Sequence, residues 1–144
     1  MGHSQWQELL TLGNDCYQNN QLRQCEFFYS EAYDILAYGY RNNPLSSDIL
    51  MAWICTCHNL STLYETMGDL DLSLKFLKVP YDYLVEISES DIPDEEVKLI
   101  AFKGISLTVT PILLFVKKHP MCEDCISKLG SLKKVIEQET ALVH

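Results

Sequence analysis

Along most of this chain apolar residues return every three or four positions, the period at which a helix presents one face. Trp6, Leu9, Gly13 and Cys16 make one such stripe, and Leu22, Cys25, Tyr29, Ala32 and Leu36 a second. Trp53, Cys57, Leu60, Tyr64 and Met67 form the next, then Leu70, Leu74, Leu77, Tyr81 and Leu84. Cys122, Cys125, Leu129, Leu132 and Ile136 close the series. Strand-like alternation is scarce. The pattern predicts an all-α protein of about six antiparallel helices, over residues 4–19, 21–40, 46–67, 70–88, 93–118 and 121–139.

The breaks between stripes carry helix punctuation. Asn19-Asn20 and Met67-Gly68-Asp69 predict tight turns in which Asn20 and Gly68 take left-handed backbone. Pro44 ends the second helix, and Ser46 or Ser47 caps the third; with Ser46 as cap, Leu45 and Leu50 stand at the spacing of a hydrophobic staple. Pro93, followed by Asp94, Glu95 and Glu96, marks the start of the fifth helix, with acids at the positive end of its dipole. His119-Pro120 separates the last two. Pro80 falls inside the fourth helix and is expected to kink or restart it. The stretch from Thr108 to Pro111 has poor helix propensity, yet no other segment offers it a partner strand, so it is assigned to the helix.

Sliding the chain by 48 residues lays Leu12 on Leu60, Gly13 on Ser61, Asn20 on Gly68, Leu22 on Leu70, Cys25 on Ser73 and Phe28 on Phe76. Small residues thus recur where two antiparallel helices would cross closely, turn residues recur between them, and aromatic residues recur in the core. This order of Leu-Gly, turn residue, small residue, aromatic and Ala resembles the tetratricopeptide repeat. Residues from Trp6 to Leu36 carry the resemblance best, Ile54 to Leu84 carry it around NLSTLYETMGDLDLSLKFL, and Pro93 to Gln138 match only as a helical hairpin. The 48-residue offset exceeds the family's period of about 34, and Pro80 stands where Ala32 stands in the first copy. The resemblance implies three hairpins stacked in a right-handed superhelix, one domain over residues 1–144, and a non-enzymatic module, scaffold or chaperone-like adaptor that binds other proteins.

In such repeats the first helix of each pair lines a concave groove. By that match the partner-binding positions are Leu10, Asn14, Tyr17 and Gln18 on the first helix, and His58, Thr62 and Glu65 on the third, flanked by Gln7, Cys55 and Thr66. Their mixture of polar, aromatic and apolar groups suits an extended peptide or a helix, with Tyr17 as the expected anchor. A carboxylate clamp is disfavoured: Asn14 matches the family's Asn, but Leu10 occupies the place of its Lys, and no full charge offsets desolvation of a carboxylate. The bland alternative is a solvated helix face.

Composition narrows the partner. Acidic residues outnumber basic ones 20 to 11, for a formal charge of −9, and no basic stripe exists to displace counterions from phosphates. Nucleic acid and anionic membranes are therefore not expected partners. The N-terminus lacks the basic and apolar regions of a signal peptide, and Trp6 stands where a myristoylation motif needs Ser or Thr. The apolar run from Ile105 to Val116 is too short to cross a bilayer and holds Pro111, so it is expected to pack on neighbouring helices or on a second copy as a homodimer. A cytoplasmic location with reduced thiols follows for the six cysteines.

Those cysteines supply the rival function. Cys55, Cys57 and His58, with Cys122 and Cys125 after His119, are candidate soft ligands for zinc or copper(I), or a redox pair. Against this, Cys16, Cys25, Cys57 and Cys125 fall on the apolar stripes and read as small buried hydrophobes, while Glu123 and Asp124 disfavour a neighbouring thiolate. No glycine-rich phosphate loop or nucleophile elbow occurs, and the acids of EISESDIPDEE suit a solvated helix end, so no enzyme, cofactor or metal site is assigned.

Overall fold

In the computed structural model, residues 2–127, 129–130 and 132–143 are described, and every regular element among them is a helix. The order is α1 (Gly2–Gln18), α2 (Leu22–Asn42), α3 (Ser47–Thr66), α4 (Leu70–Glu89), α5 (Glu95–Lys118), α6 (Glu123–Ser127) and α7 (Leu132–Val143). Five of the six expected helices appear within two residues of their predicted ends. The sixth divides into α6 and α7, because Gly130 adopts a left-handed backbone with φ +62° and interrupts the helix the apolar spacing had implied.

Local chemistry sets the other ends. Asn20 (φ 61°) and Gly68 (φ 83°) make the expected left-handed turns between α1 and α2 and between α3 and α4. Ser46 caps α3, its Oγ accepting from the N–H of Ile49 at 3.2 Å. Asp69, expected only as a turn residue, caps α4 by accepting from the N–H of Leu72 at 3.1 Å. Pro93 lies before α5 rather than in its first turn, and Asp94 takes the cap position without a side-chain hydrogen bond. Neither Pro80 nor Pro111 ends its helix: α4 and α5 continue through them.

Each helix from α1 to α4 packs on the next in sequence, and α5 also touches α3 and α7. Small residues mark the crossings. A methyl group at Gly13 would stand 2.5 Å from Tyr29 Cδ1, so α1 meets α2 with no room for a side chain there. Where α3 meets α4, the buried hydroxyls of Ser61 and Ser73 lie 2.9 Å apart. Gly104 brings α5 against Leu84 of α4 and Leu50 of α3, 3.1 and 3.3 Å from where its Cβ would be.

The core runs along the stack in three clusters. Cys16, Cys25, Tyr29, Leu60, Leu63 and Tyr64 join α1, α2 and α3. Leu36, Tyr40, Leu50, Trp53, Leu84 and Ala101 fill the middle, and Leu77, Tyr81, Ile112, Phe115, Leu132 and Ile136 close the far end. Each of the larger side chains contributes about 1.5–3 kcal/mol through burial. α5 buries Val97, Ala101, Gly104, Thr108, Ile112 and Phe115, and leaves Leu99, Phe102, Leu107 and Leu114 exposed. Its 24 residues are long and apolar enough to cross a membrane by length and composition alone, which the shorter run from Ile105 to Val116 did not suggest.

Candidate partner-binding groove

The predicted positions on α1 and α3 have separate fates. On α1, Leu10 and Tyr17 pack beside the cluster of Cys16, Tyr29 and Leu60, while Gln18 is exposed. Asn14 Oδ1 accepts a hydrogen bond from the Tyr29 hydroxyl, so its carbonyl is engaged within the fold. The Tyr17 hydroxyl lies 2.9 Å from Thr66 Oγ1 and ties α1 to α3. Tyr17 is thus a half-buried bridge between helices, where the sequence suggested a projecting anchor. Aromatic bulk and helical phase alone did not reveal the hydroxyl's internal partner.

The α3 positions do converge. His58, Thr62 and Glu65 line a surface cavity of about 310 Å³, closed by Ser73 and Leu77 of α4 and by Pro111, Leu114, Phe115 and Lys118 of α5. That volume lies at the small end of the range for ligand cavities, roughly 300–1,000 Å³, and suits one or two side chains of a larger partner. Helix periodicity explains the shared face: 58, 62 and 65 are spaced by four and three. The contribution of α5 was not read from sequence, although the cluster Lys117-Lys118-His119 opposite an acidic position was a usable signal.

Electrostatics differ across the cavity. At its rim, Glu65 Oε2 lies 2.7 Å from His119 Nε2 and Glu65 Oε1 lies 3.4 Å from Lys118 Nζ. The hydrogen bond with His119 holds the Glu65 carboxyl below its usual range; burial pushes the other way, and Lys118 adds to the lowering. Deeper in, His58 has its pKa lowered by burial, which favours the neutral ring. Its Nε2 is sealed from solvent and meets no hydrogen-bond partner among the described residues. A buried polar nitrogen left in this state costs about 1–3 kcal/mol.

The cysteine positions separate as well. Cys55 is exposed and Cys57 fully buried, because two residues along a helix turn a side chain about 200° around its axis. The two thiols therefore do not face one ion. Burial also raises the Cys57 thiol far above the usual thiol range. Among the described residues no group of three or more His, Cys, Asp or Glu side chains is placed to hold a metal. Cys125, expected to be buried, is exposed: with the last helix divided, Leu129, Leu132 and Ile136 supply the buried face among the described residues.

One family model matches the chain, over residues 4–143, under the description "Protein of unknown function (DUF2753)". No curated protein and no solved structure matches it.

Proposed function

We propose that this chain, which belongs to the DUF2753 family, is a non-enzymatic protein–protein interaction module, a scaffold or chaperone-like adaptor built as a tetratricopeptide-like right-handed stack of hairpins. It holds a peptide or helix of another protein in the groove between α3 and α5. The observation that carries this reading is the cavity that joins His58, Thr62 and Glu65 to Leu114, a leucine 61% exposed on the helix opposite. Leu107, Phe102 and Leu99 extend the apolar stripe along α5, and exposed apolar stripes of this kind mark interaction surfaces. The formal charge of −9 speaks against nucleic acid as the partner.

A second copy of the chain is the alternative occupant of the α5 face, since Leu107 and Leu114 lie within the segment from Ile105 to Val116 and remain exposed. Photo-crosslinking separates the occupants. A benzoyl-phenylalanine placed at Thr62 or at Leu114 is expected to give the same crosslinked protein in native-host lysate, and one placed at exposed Glu31 on α2 is not. Crosslinking at Glu31 alone would refute the groove.

A further inference from the structure

Between α5 and α7 two thiols face each other. Cys122 Sγ lies 3.1 Å from Cys125 Sγ, and both residues are exposed. The pairing follows from how α6 begins. The Cys122 carbonyl accepts from the N–H of Ile126 at 3.0 Å, which makes Cys122 the cap residue. Its sulfur accepts from the N–H of Cys125 at 3.4 Å, the place usually taken by a Ser or Asp oxygen. The cap geometry therefore turns one thiol directly onto the other. α6 itself has no buried residue, and Met121 just before the pair packs beside the far-end core cluster.

Closing a disulfide requires an S–S separation of about 2.05 Å, an approach of about 1 Å from the present one. The hydrogen bonds that Cys122 shares with the side chain and backbone N–H of Cys125 lower its pKa, which favours the attacking thiolate. Desolvation opposes this, the backbone N–H of Asp124 adds to the lowering, and the carboxylates of Glu123 and Asp124 slow the approach of anionic disulfides. The remaining thiols are placed differently: Cys16, Cys25 and Cys57 are buried, and Cys55 is exposed on α3.

We propose that Cys122 and Cys125 form a reversible dithiol–disulfide site that exchanges electrons with small disulfides such as glutathione disulfide. The Cys122 thiolate attacks one glutathione sulfur, the glutathione S–S bond breaks, and the departing glutathione thiolate takes up the proton that Cys122 lost. Cys125, deprotonated in turn, attacks the Cys122 sulfur and releases the second glutathione, which takes that proton. Two protein thiols are oxidised to one disulfide, and one glutathione disulfide is reduced to two thiols.

The test uses the reduced full-length protein equilibrated in buffers of graded glutathione to glutathione disulfide ratio. After acid quenching, alkylation under denaturing conditions and digestion, the peptide spanning residues 119–128 is weighed. The expected result is that this peptide loses both alkyl labels together and carries an internal disulfide, with a midpoint that is the same approached from oxidised or reduced protein. Buried Cys16, Cys25 and Cys57 keep their labels, and exposed Cys55, with no neighbouring thiol on its face, takes up at most a single glutathione. Cys125→Ser is expected to stop at a Cys122–glutathione adduct. The proposal is overturned if residues 122 and 125 stay labelled at every ratio, end as two separate glutathione adducts, or bridge to a second molecule.

Discussion

His119 Nε2 and Glu65 Oε2 lie 2.7 Å apart, although 54 residues separate them in the chain. The contact joins the end of α5 to the last turn of α3 at the rim of the groove. It depends on the acid remaining ionised. Glu65 titrates below its ordinary value of 4.5 in the folded protein, so its contribution to stability is present above about pH 4.5 and disappears as pH falls through the lower folded value. Thermal melts of wild type and Glu65→Gln should differ by a constant amount from pH 7 to about pH 5 and converge below that. A gap that widened in acid would contradict the assignment.

Burial of His58 makes the opposite residue type behave in a parallel way. Its folded pKa is lowered, so the unfolded chain binds the proton more readily, and stability falls as pH drops below the ordinary value of 6.5. Replacing His58 with Leu should flatten that limb of the stability–pH curve between about pH 6.5 and 5, read by urea denaturation at each pH. An unchanged slope would mean that the ring is charged or solvated.

At the α1–α2 crossing, Gly13→Ala would press a methyl group into the Tyr29 ring, which is buried and holds Asn14. The expected loss is about 1–3 kcal/mol in urea denaturation. Gly39→Ala is the control: its nearest neighbour is Ile49 Cγ2 at 3.5 Å, an ordinary contact, and alanine should stabilise the helix there by about 0.5–1 kcal/mol.

The Ser61–Ser73 pair predicts non-additivity. Removing one hydroxyl strands the other in a buried seam, at a cost of about 1–3 kcal/mol, whereas removing both leaves nothing unsatisfied. The double variant Ser61→Ala, Ser73→Ala should therefore be more stable than the sum of the single changes implies, with the cycle measured by chemical denaturation.

For the α5 face, Leu114→Glu should leave the melting temperature within a few degrees of wild type, because Leu114 is 61% exposed. If a second copy covers this face, sedimentation equilibrium will show wild type as a dimer and the variant as a monomer. A monomeric wild type would remove the homodimer and leave the groove to another protein.

Helices and turns were legible because their causes are local. Side chains three and four apart share a face, a left-handed turn requires Asn20 or Gly68, and Ser46 can reach the N–H of Ile49 without help from elsewhere. The small residues Gly13, Ser61 and Ser73 also marked the close crossings, since only small groups permit them. Gly130 was missed for a converse reason: a glycine within an apolar rhythm does not declare whether its φ will be positive.

Contacts that depend on how helices lie across one another were not legible. The engagement of Tyr17 by Thr66, the exposure of Cys125 and the meeting of His119 with Glu65 each require helix crossings and loop paths that no short window of sequence encodes. Sequence alone determined which residues form α1 to α5 and which face of each packs inward, because backbone sterics and side-chain period act over a few residues. Tertiary structure alone decided that α3 and α5 share a cavity, because that distance is set by packing across the whole stack, whereas the two thiols meet through the local cap at the start of α6.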